Sequence, residues 1–166
     1  MSNFSVVSND DDLKKLAHMA CEIWHQHYFD ILSFEQIEYM LNNFQSVNAL
    51  KNQVNEGYEY YFIVDNNIYT GYLGIKKYPK HLFLSKLYIK KDHRGKGLGK
   101  KAIEFVLQRA KELGCDKVVL TVNKENVNSI SVYEKLGFKK TDSIVTDIGA
   151  GFVMNDYIYT YFMSSV

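Results

Sequence analysis

The feature that most constrains this chain is a basic, glycine-rich turn between a strand pattern and a helix pattern. The strand pattern ends near Ile89, and the helix pattern begins at about Gly97 and ends at Leu113. Gly114 follows, where a left-handed C-terminal cap belongs. The helix is indicated by apolar residues that recur at helical spacing: Leu98, Ala102, Ile103, Val106, Ala110 and Leu113.

This order of strand, glycine turn and helix predicts an anion site at the start of the helix. The first backbone N–H groups of a helix have no acceptor within it and carry the positive end of its dipole. Glycine has no Cβ, so a phosphate can approach those N–H groups closely. Six cations add charge around the turn: Lys90, Lys91, Arg94, Lys96, Lys100 and Lys101.

Two common phosphate loops do not fit this turn. A P-loop requires Gly-Lys followed at once by Ser or Thr, whereas Gly99-Lys100 is followed by Lys101. The dinucleotide fingerprint requires G-x-G-x-x-G near the start of a βαβ unit. Here Gly95, Gly97 and Gly99 are spaced G-x-G-x-G and lie beyond the middle of the chain.

Residues 94–99 match the pattern (Q/R)-x-x-G-x-(G/A), and they resemble the pyrophosphate motif of the GNAT superfamily of acetyl-CoA-dependent N-acetyltransferases. Residues 126–138 resemble a second motif of that family, N-x-x-(A/S)-x-x-x-Y-x-K-x-G-F. The matching positions are Asn126, Ser129, Tyr133, Lys135, Gly137 and Phe138. The resemblance covers roughly residues 58–162, and the chain is also loosely similar to bacterial polyamine acetyltransferases.

The resemblance implies an α/β fold of three layers with a mixed, mostly antiparallel sheet. One parallel strand pair in that sheet is splayed apart, and the expected element order is β-α-α-β-β-β-α-β-α-β-β. Local signals agree with this order, including a capping box from Ser33 to Gln36 and a tight turn at residues 65–67. A further helical piece over residues 49–54 is a separate expectation. We expect one domain over residues 1–166.

The resemblance also implies acetyl-CoA as a co-substrate and a set of residues that hold it. These are Leu87, Tyr88, Ile89, Arg94, Gly95, Lys96, Gly97, Leu98, Gly99, Lys100 and Asn126. Asn126 could bond the pantetheine arm, cap its own helix, or do both. Tyr133 is implied as the catalytic acid for the leaving thiolate, because a tyrosine with an ordinary pKa of about 10 is protonated at neutral pH. A packing role for Tyr133 stays open.

The residue that would deprotonate the acceptor is not identified by the sequence. Some relatives carry a Glu on the strand before the Asn motif, and Thr121 stands at that place here. Five other candidates occur near the expected acceptor side, and we expect each to be a solvated surface group: His25, His27, Glu35, Asp147 and Asp156. Deprotonation relayed by water is an equal alternative, so no base is assigned.

The expected function is transfer of an acetyl group from acetyl-CoA to a primary amine by direct attack. The acceptor is expected between residues 24–31 and 147–156, whose aromatic and acidic side chains suit a cationic amine. A polyamine, a peptide N-terminus, an amino acid and an aminoglycoside all stay open. The alternative function is a non-catalytic acyl-CoA sensor on the same fold.

Several classes of partner are not expected. The net charge is +1, and the cations around Arg94 lack interleaved aromatic residues, so no nucleic acid is expected. The five histidines form no H-x-x-x-H or H-E-x-x-H set, so no metal is expected. No apolar run spans a bilayer, and no signal peptide is indicated. Cys21 and Cys115 suit a cytoplasmic location. A homodimer is left open.

Overall fold

The computed structural model describes residues 2–164, and these residues divide into two compact units. The first unit comprises residues 2–76 and 86–103, and the second comprises residues 77–85 and 104–164. The elements in chain order are β1 (Ser2–Val6), α1 (Asp10–Tyr28), α2 (Phe34–Phe44), α3 (Val47–Asn55), β2 (Tyr58–Asp65), β3 (Ile68–Lys77), β4 (His81–Ile89), α4 (Leu98–Glu112), β5 (Lys117–Asn123), α5 (Val127–Lys135), β6 (Lys139–Gly149) and β7 (Phe152–Phe162).

The seven strands follow the order β1-β2-β3-β4-β5-β7-β6 in one mixed sheet. This arrangement confirms the expected α/β fold and its mostly antiparallel sheet. Strands β4 and β5 pair in parallel, and their ladder joins residues 81–84 to residues 117–120. Strand β4 continues to Ile89 and β5 to Asn123, beyond the last pair of that ladder. The pair is the one that the sequence resemblance expected to splay.

Helices α1 and α2 of the first unit begin at side-chain caps, and the cap of α2 is the predicted capping box. Asn9 Oδ1 accepts a hydrogen bond from the Asp12 N–H at 2.8 Å, and the Asp12 carboxylate accepts one from the Ser8 N–H at 3.0 Å. Ser33 Oγ accepts from the Gln36 N–H at 3.1 Å, which starts α2. Helix α1 buries one apolar face in the core: Leu13, Leu16, Met19, Ala20, Ile23 and Trp24.

Strands β1, β2 and β3 form an antiparallel meander in the first unit. The β2–β3 turn has Asn66 at φ +50° and Asn67 at φ +65°. Two successive positive φ values match the twist of a two-residue hairpin, and asparagine tolerates them better than most residues. The predicted tight turn at residues 65–67 is therefore confirmed.

Gly71 on β3 lies against the backbone of β4, within the first unit. A Cβ at this position would lie 2.2 Å from the Tyr88 carbonyl oxygen and 3.0 Å from the Ile89 Cα. Backbone atoms of a paired strand cannot move away as the end of a flexible side chain can. This close approach leaves no room for a side chain at Gly71.

We expect Gly71→Ala to lower the free energy of unfolding by about 1–3 kcal/mol, because the added methyl overpacks a backbone contact. Gly99→Ala is the matched control, since its Cβ would meet Ile89 Cδ1 at 3.6 Å, an ordinary contact. That control should be neutral or slightly stabilising. Chemical denaturation of both variants measures the difference, and equal effects would contradict the account of Gly71.

In the second unit, β7 lies between β5 and β6 and pairs with both in antiparallel fashion. Leu120 of β5 faces Tyr159 of β7, and Asn123 faces Asp156 at the far end of the same ladder. The β6–β7 connection has positive φ at Gly149, Ala150 and Gly151. Helix α5 packs on this ladder through a hydrogen bond from the Tyr159 hydroxyl to Glu134 Oε2 at 3.1 Å.

The remaining expectations concern a further helix, the number of domains and a possible membrane span. The predicted helical piece over residues 49–54 is a complete helix, α3, which the expected element order left out. The expectation of a single domain stays a prediction. Among the helices of residues 2–164, none combines the length and apolar character needed to cross a membrane.

Candidate active site

The predicted anion loop belongs to the first unit and folds back on the end of β4. A 3₁₀ turn at Lys91–His93 follows the strand, and the His93 N–H donates to the Lys90 carbonyl at 2.9 Å. Arg94 Nε donates to the Ile89 carbonyl at 3.0 Å. This bond fixes the start of the loop beside the strand end, so the loop and residues 87–89 form one continuous surface.

Two glycines of the loop adopt backbone conformations that other residues avoid. Gly95 has φ +78° and Gly97 has φ +81°, and a Cβ at either position would meet no heavy atom within 4 Å. Backbone conformation, rather than crowding within the protein, therefore requires glycine here. The same open space leaves room for an anion. Gly99 differs, because it lies in the first turn of α4 and its Cβ would contact Ile89.

The start of α4 presents backbone donors and positive charge together. The Lys101 N–H donates to the Gly97 carbonyl at 3.1 Å, so the helical hydrogen bonds begin there. Leu98 is 2 % exposed, and its side chain anchors the helix in the core. Only the backbone of Leu98 can therefore face a ligand. The Lys96 and Lys100 side chains are exposed. This arrangement can bind a pyrophosphate.

An aromatic cluster lies beside the end of β4 in the first unit and consists of Trp24, Tyr28, Tyr72 and Tyr88. The Tyr28 and Tyr88 hydroxyls are 2.8 Å apart, and Trp24 Nε1 donates to the Tyr72 hydroxyl at 2.7 Å. The Tyr72 hydroxyl donates to Gln45 Oε1 at 3.2 Å. These bonds hold α1 against the strand that was predicted to bind pantetheine, and they fix the Tyr88 ring.

The two candidate bases on α1, His25 and His27, lie in different surroundings. Burial and the Arg94 guanidinium lower the pKa of His27 to about 4, so its imidazole is neutral at pH 7 and accepts protons weakly. His25 Nε2 lies 2.6 Å from Glu38 Oε1. His27 is partly buried, which corrects the expectation that it is a solvated surface group.

A partly buried lysine on β4, Lys86, was missed by the sequence reasoning. Lys86 Nζ donates to the Tyr60 hydroxyl at 2.8 Å, and that hydroxyl donates to Gln53 Oε1. The ammonium also lies 5.7 Å from the centroid of the Tyr58 ring. Burial lowers the pKa of Lys86 to about 8. No spacing signal could reveal this network, because its members come from β4, β2 and α3.

The Asn126 motif lies in the second unit, at the end of β5. Asn126 is the N-cap of α5, and its Oδ1 accepts from the Ser129 N–H at 3.4 Å. The capping alternative is therefore confirmed. Along α5, Ser129, Ile130 and Tyr133 are partly buried, while the other helical positions are exposed. The rings of Tyr133 and Phe138 pack edge to face, with their centroids 5.8 Å apart.

A buried polar cluster occupies the same end of the second unit and comprises Asn123, Asn126 and Asp156. Their exposed fractions are 9 %, 8 % and 8 %. The Asn126 N–H donates to the Asn123 carbonyl at 3.0 Å. Burial raises the pKa of Asp156 from 3.8 to about 6, and Lys124 offsets part of that rise. The expectation that Asp156 is a solvated surface group is therefore wrong. Its side chain is buried where β7 pairs with β5, at the position opposite the buried Asn123.

The raised pKa of Asp156 predicts a pH-dependent effect on stability. Between about pH 4 and pH 6 the folded state holds this proton more tightly than the unfolded chain, so the stability contributed by this group falls as pH rises. We expect Asp156→Asn to raise the free energy of unfolding by about 1–3 kcal/mol at pH 8 and to change it little at pH 4.

Denaturant titrations of Asp156→Asn at both pH values provide the measurement. Asp142→Asn is the control, because Asp142 is exposed and an amide oxygen could still accept the bond from the Ser143 N–H. A gain in stability that is the same at both pH values would contradict the account of Asp156.

The remaining candidate bases are solvated, as expected. Glu35 is exposed in the first turn of α2. Asp147 is exposed, and its Oδ1 accepts from the Gly149 N–H at 2.8 Å. Thr121 is also exposed on β5. Over residues 2–164, the His, Cys, Asp and Glu side chains form no group of three that could hold a metal ion.

Known proteins resemble this chain both in sequence and in structure. The model of the acetyltransferase (GNAT) family matches residues 14–138. The crystal structure of the PaiA N-acetyltransferase from Thermoplasma acidophilum, in complex with coenzyme A, is 25% identical with a TM-score of 0.82. The similarity covers 98% of this chain and 99% of that one.

Two curated relatives match over shorter segments. N-acetyltransferase family 8 member 2 of Rattus norvegicus is 33% identical over 98 residues, which is 57% of this chain and 43% of that protein. The probable spermine N(1)-acetyltransferase of Bacillus subtilis subsp. natto is 34% identical over 59 residues, which is 35% of this chain and 39% of that protein. The chain thus spans less than half the length of these two relatives.

Proposed function

Because this chain belongs to the acetyltransferase (GNAT) family, we propose that it transfers an acetyl group from acetyl-CoA to a primary amine by direct attack. The observation that carries the proposal is the loop before α4, where Gly95 and Gly97 hold positive φ beside open space. A pyrophosphate fits that space, with the first N–H groups of α4 as donors and the exposed Lys96 and Lys100 as counter-charges.

The strand before the loop is the proposed support for the pantetheine arm. Leu87, Tyr88 and Ile89 are partly exposed, and the aromatic cluster holds Tyr88 in place. An extended pantetheine would add to β4 as a further strand does in peptide recognition. One backbone N–H of this segment would then face the acetyl carbonyl, where a fixed donor typically contributes about 3–4 kcal/mol to stabilising the oxyanion. Asn126 caps α5, and we propose that its side chain also bonds the arm.

Tyr133 is the proposed acid for the leaving thiolate. A free thiol has a pKa near 8.5 and tyrosine one of about 10, so full transfer of the tyrosine proton is uphill. A hydrogen bond from the hydroxyl that strengthens as the C–S bond breaks is therefore sufficient. The partial burial of Tyr133 on α5, the helix that Asn126 caps, supports this role.

A polyamine is the proposed acceptor, and the resemblance to a probable spermine N(1)-acetyltransferase supports it. The experiment incubates the protein with acetyl-CoA and spermine, spermidine, alanine amide or a short peptide, and measures release of free coenzyme A. We expect release that depends on an amine and is greatest with a polyamine. Tight binding of acetyl-CoA without release for any amine would favour the non-catalytic sensor instead.

Acetyl transfer by this route uses no metal, so we expect chelation by EDTA to leave kcat unchanged. The residues proposed for binding and chemistry are backbone donors, lysines and a tyrosine, and none of them depends on a metal ion. Steady-state assays before and after dialysis against EDTA provide the measurement. Loss of activity that added zinc restores would contradict this prediction.

A further inference from the structure

We propose that the Asp156 carboxylate receives the ammonium group of the acceptor and takes its proton as the amine attacks the thioester. The inference rests on the proposed function and supplies the base that the sequence could not identify. Two independent features of the second unit carry it: an unsatisfied buried oxygen, and the face of the sheet on which that oxygen lies.

The first feature is the hydrogen bonding of Asp156. Its side chain is 8 % exposed, and Oδ1 has no hydrogen-bond partner among the described residues. A carboxylate oxygen only accepts hydrogen bonds, so burying it without a donor is costly. The register partner on β5, Asn123, donates no hydrogen bond to this oxygen. A cationic amine would supply both the donor and the charge.

The second feature is the position of Asp156 relative to α5. Side chains of a strand alternate between faces, so Asp156 and Tyr159 project from opposite faces of the β5–β7 ladder. Tyr159 and Tyr161 contact Glu134 and Phe138, which places α5 on their face. Asp156 therefore projects from the face opposite to the helix that carries Tyr133. In the proposal, the base serves the entering nitrogen and the acid serves the departing sulfur.

The charges around Asp156 are compatible with this role. From β5, the neutral Asn123 faces it and Lys124 acts on it electrostatically. From β6 the register partner is Ile144. Lys124 Nζ lies 5.2 Å from the centroid of the Tyr157 ring, and the structure gives it no salt bridge with Asp156. The raised pKa of Asp156, about 6, makes it a stronger base than an ordinary aspartate and still leaves it ionised at neutral pH.

The proton balance closes without another reactant. The ammonium gives one proton to Asp156 as the C–N bond forms. The tetrahedral intermediate then passes a second proton from its nitrogen to water, and the C–S bond breaks. Tyr133 stabilises the departing thiolate with a hydrogen bond, and the thiolate takes a proton from water, which leaves the amide and free coenzyme A. Asp156 afterwards releases its proton to water.

The test compares pH profiles of kcat/KM for Asp156→Asn and the wild-type protein, with spermidine and n-butylamine as probes. With the base present, the reactive pair is the carboxylate and the ammonium, so the profile should be flat from about pH 6 to about pH 10. Without it, only free amine reacts, and kcat/KM should rise about tenfold per pH unit over that range. At neutral pH we expect a loss of at least about 100-fold, with an unchanged acetyl-CoA dissociation constant.

Asp142→Asn is the matched control and should keep the flat profile, because Asp142 is an exposed carboxylate of the same unit. A flat profile in Asp156→Asn, or a wild-type profile without an inflection near pH 6, would overturn the proposal; the second observation does not need the variant to fold. Absence of turnover by the wild type with every amine of the panel would overturn the proposed function itself, and this inference with it.

Discussion

Tyr133→Phe should lower kcat for amine acetylation by about 10²–10⁴-fold, the usual contribution of acid catalysis, and should change the acetyl-CoA dissociation constant by less than about threefold. The substitution removes one hydroxyl and keeps the ring that contacts Phe138. The thiolate would then depart without a proton donor, while the binding surfaces stay intact. Single-turnover kinetics with saturating acetyl-CoA provide the measurement, because product release can hide a slower chemical step.

Tyr161→Phe is the matched control for this prediction. Tyr161 belongs to the same ring cluster, with its ring 5.5 Å from that of Phe138, and it is also partly buried. Its variant should keep nearly the full rate. Equal rates for both variants would make Tyr133 a packing residue. A large loss of acetyl-CoA affinity with normal kcat would make Tyr133 a binding residue.

Gly97→Glu should weaken acetyl-CoA binding by at least about 100-fold, equal to about 2.8 kcal/mol. The new carboxylate would stand in the open space at the start of α4, where the pyrophosphate is proposed to bind, and would repel it. The positive φ of Gly97 adds backbone strain. Isothermal titration calorimetry on the folded variant measures the change in affinity.

Gly114→Glu controls for the strain alone. Gly114 has φ +70° and no heavy atom within 4 Å of its Cβ position, and it follows the opposite end of α4. Both variants should melt at lower temperature than the wild type, but only Gly97→Glu should lose affinity. A folded Gly97→Glu protein that binds acetyl-CoA normally would rule out the proposed pyrophosphate site.

Local signals explain why much of the fold could be predicted from the sequence. Asn9 and Ser33 cap helices through contacts only three residues away, and Asn66 and Asn67 form their turn within the hairpin itself. The glycine loop is equally local, since its conformation depends on φ at Gly95 and Gly97. Patterns over a few residues are sufficient for such features.

The features that the sequence did not reveal depend on pairing between distant segments. From the sequence, Asp156 is expected to be a solvated surface group. Its burial depends on the strand register, which sets it opposite Asn123. Lys86 lies on β4, and the rings of Tyr58 and Tyr60 of another strand lie beside its ammonium. In both cases the surroundings of a charged side chain depend on partners that no local spacing identifies.

The most direct test of the central claim is transfer of an isotopically labelled acetyl group. The protein is incubated with acetyl-CoA labelled in its acetyl carbons and with spermidine, and the products are separated and weighed by mass spectrometry. The account predicts labelled N-acetylspermidine and one free coenzyme A for each molecule formed, with both products greatly reduced in Tyr133→Phe. Release of coenzyme A together with labelled acetate, and no labelled amine, would contradict it.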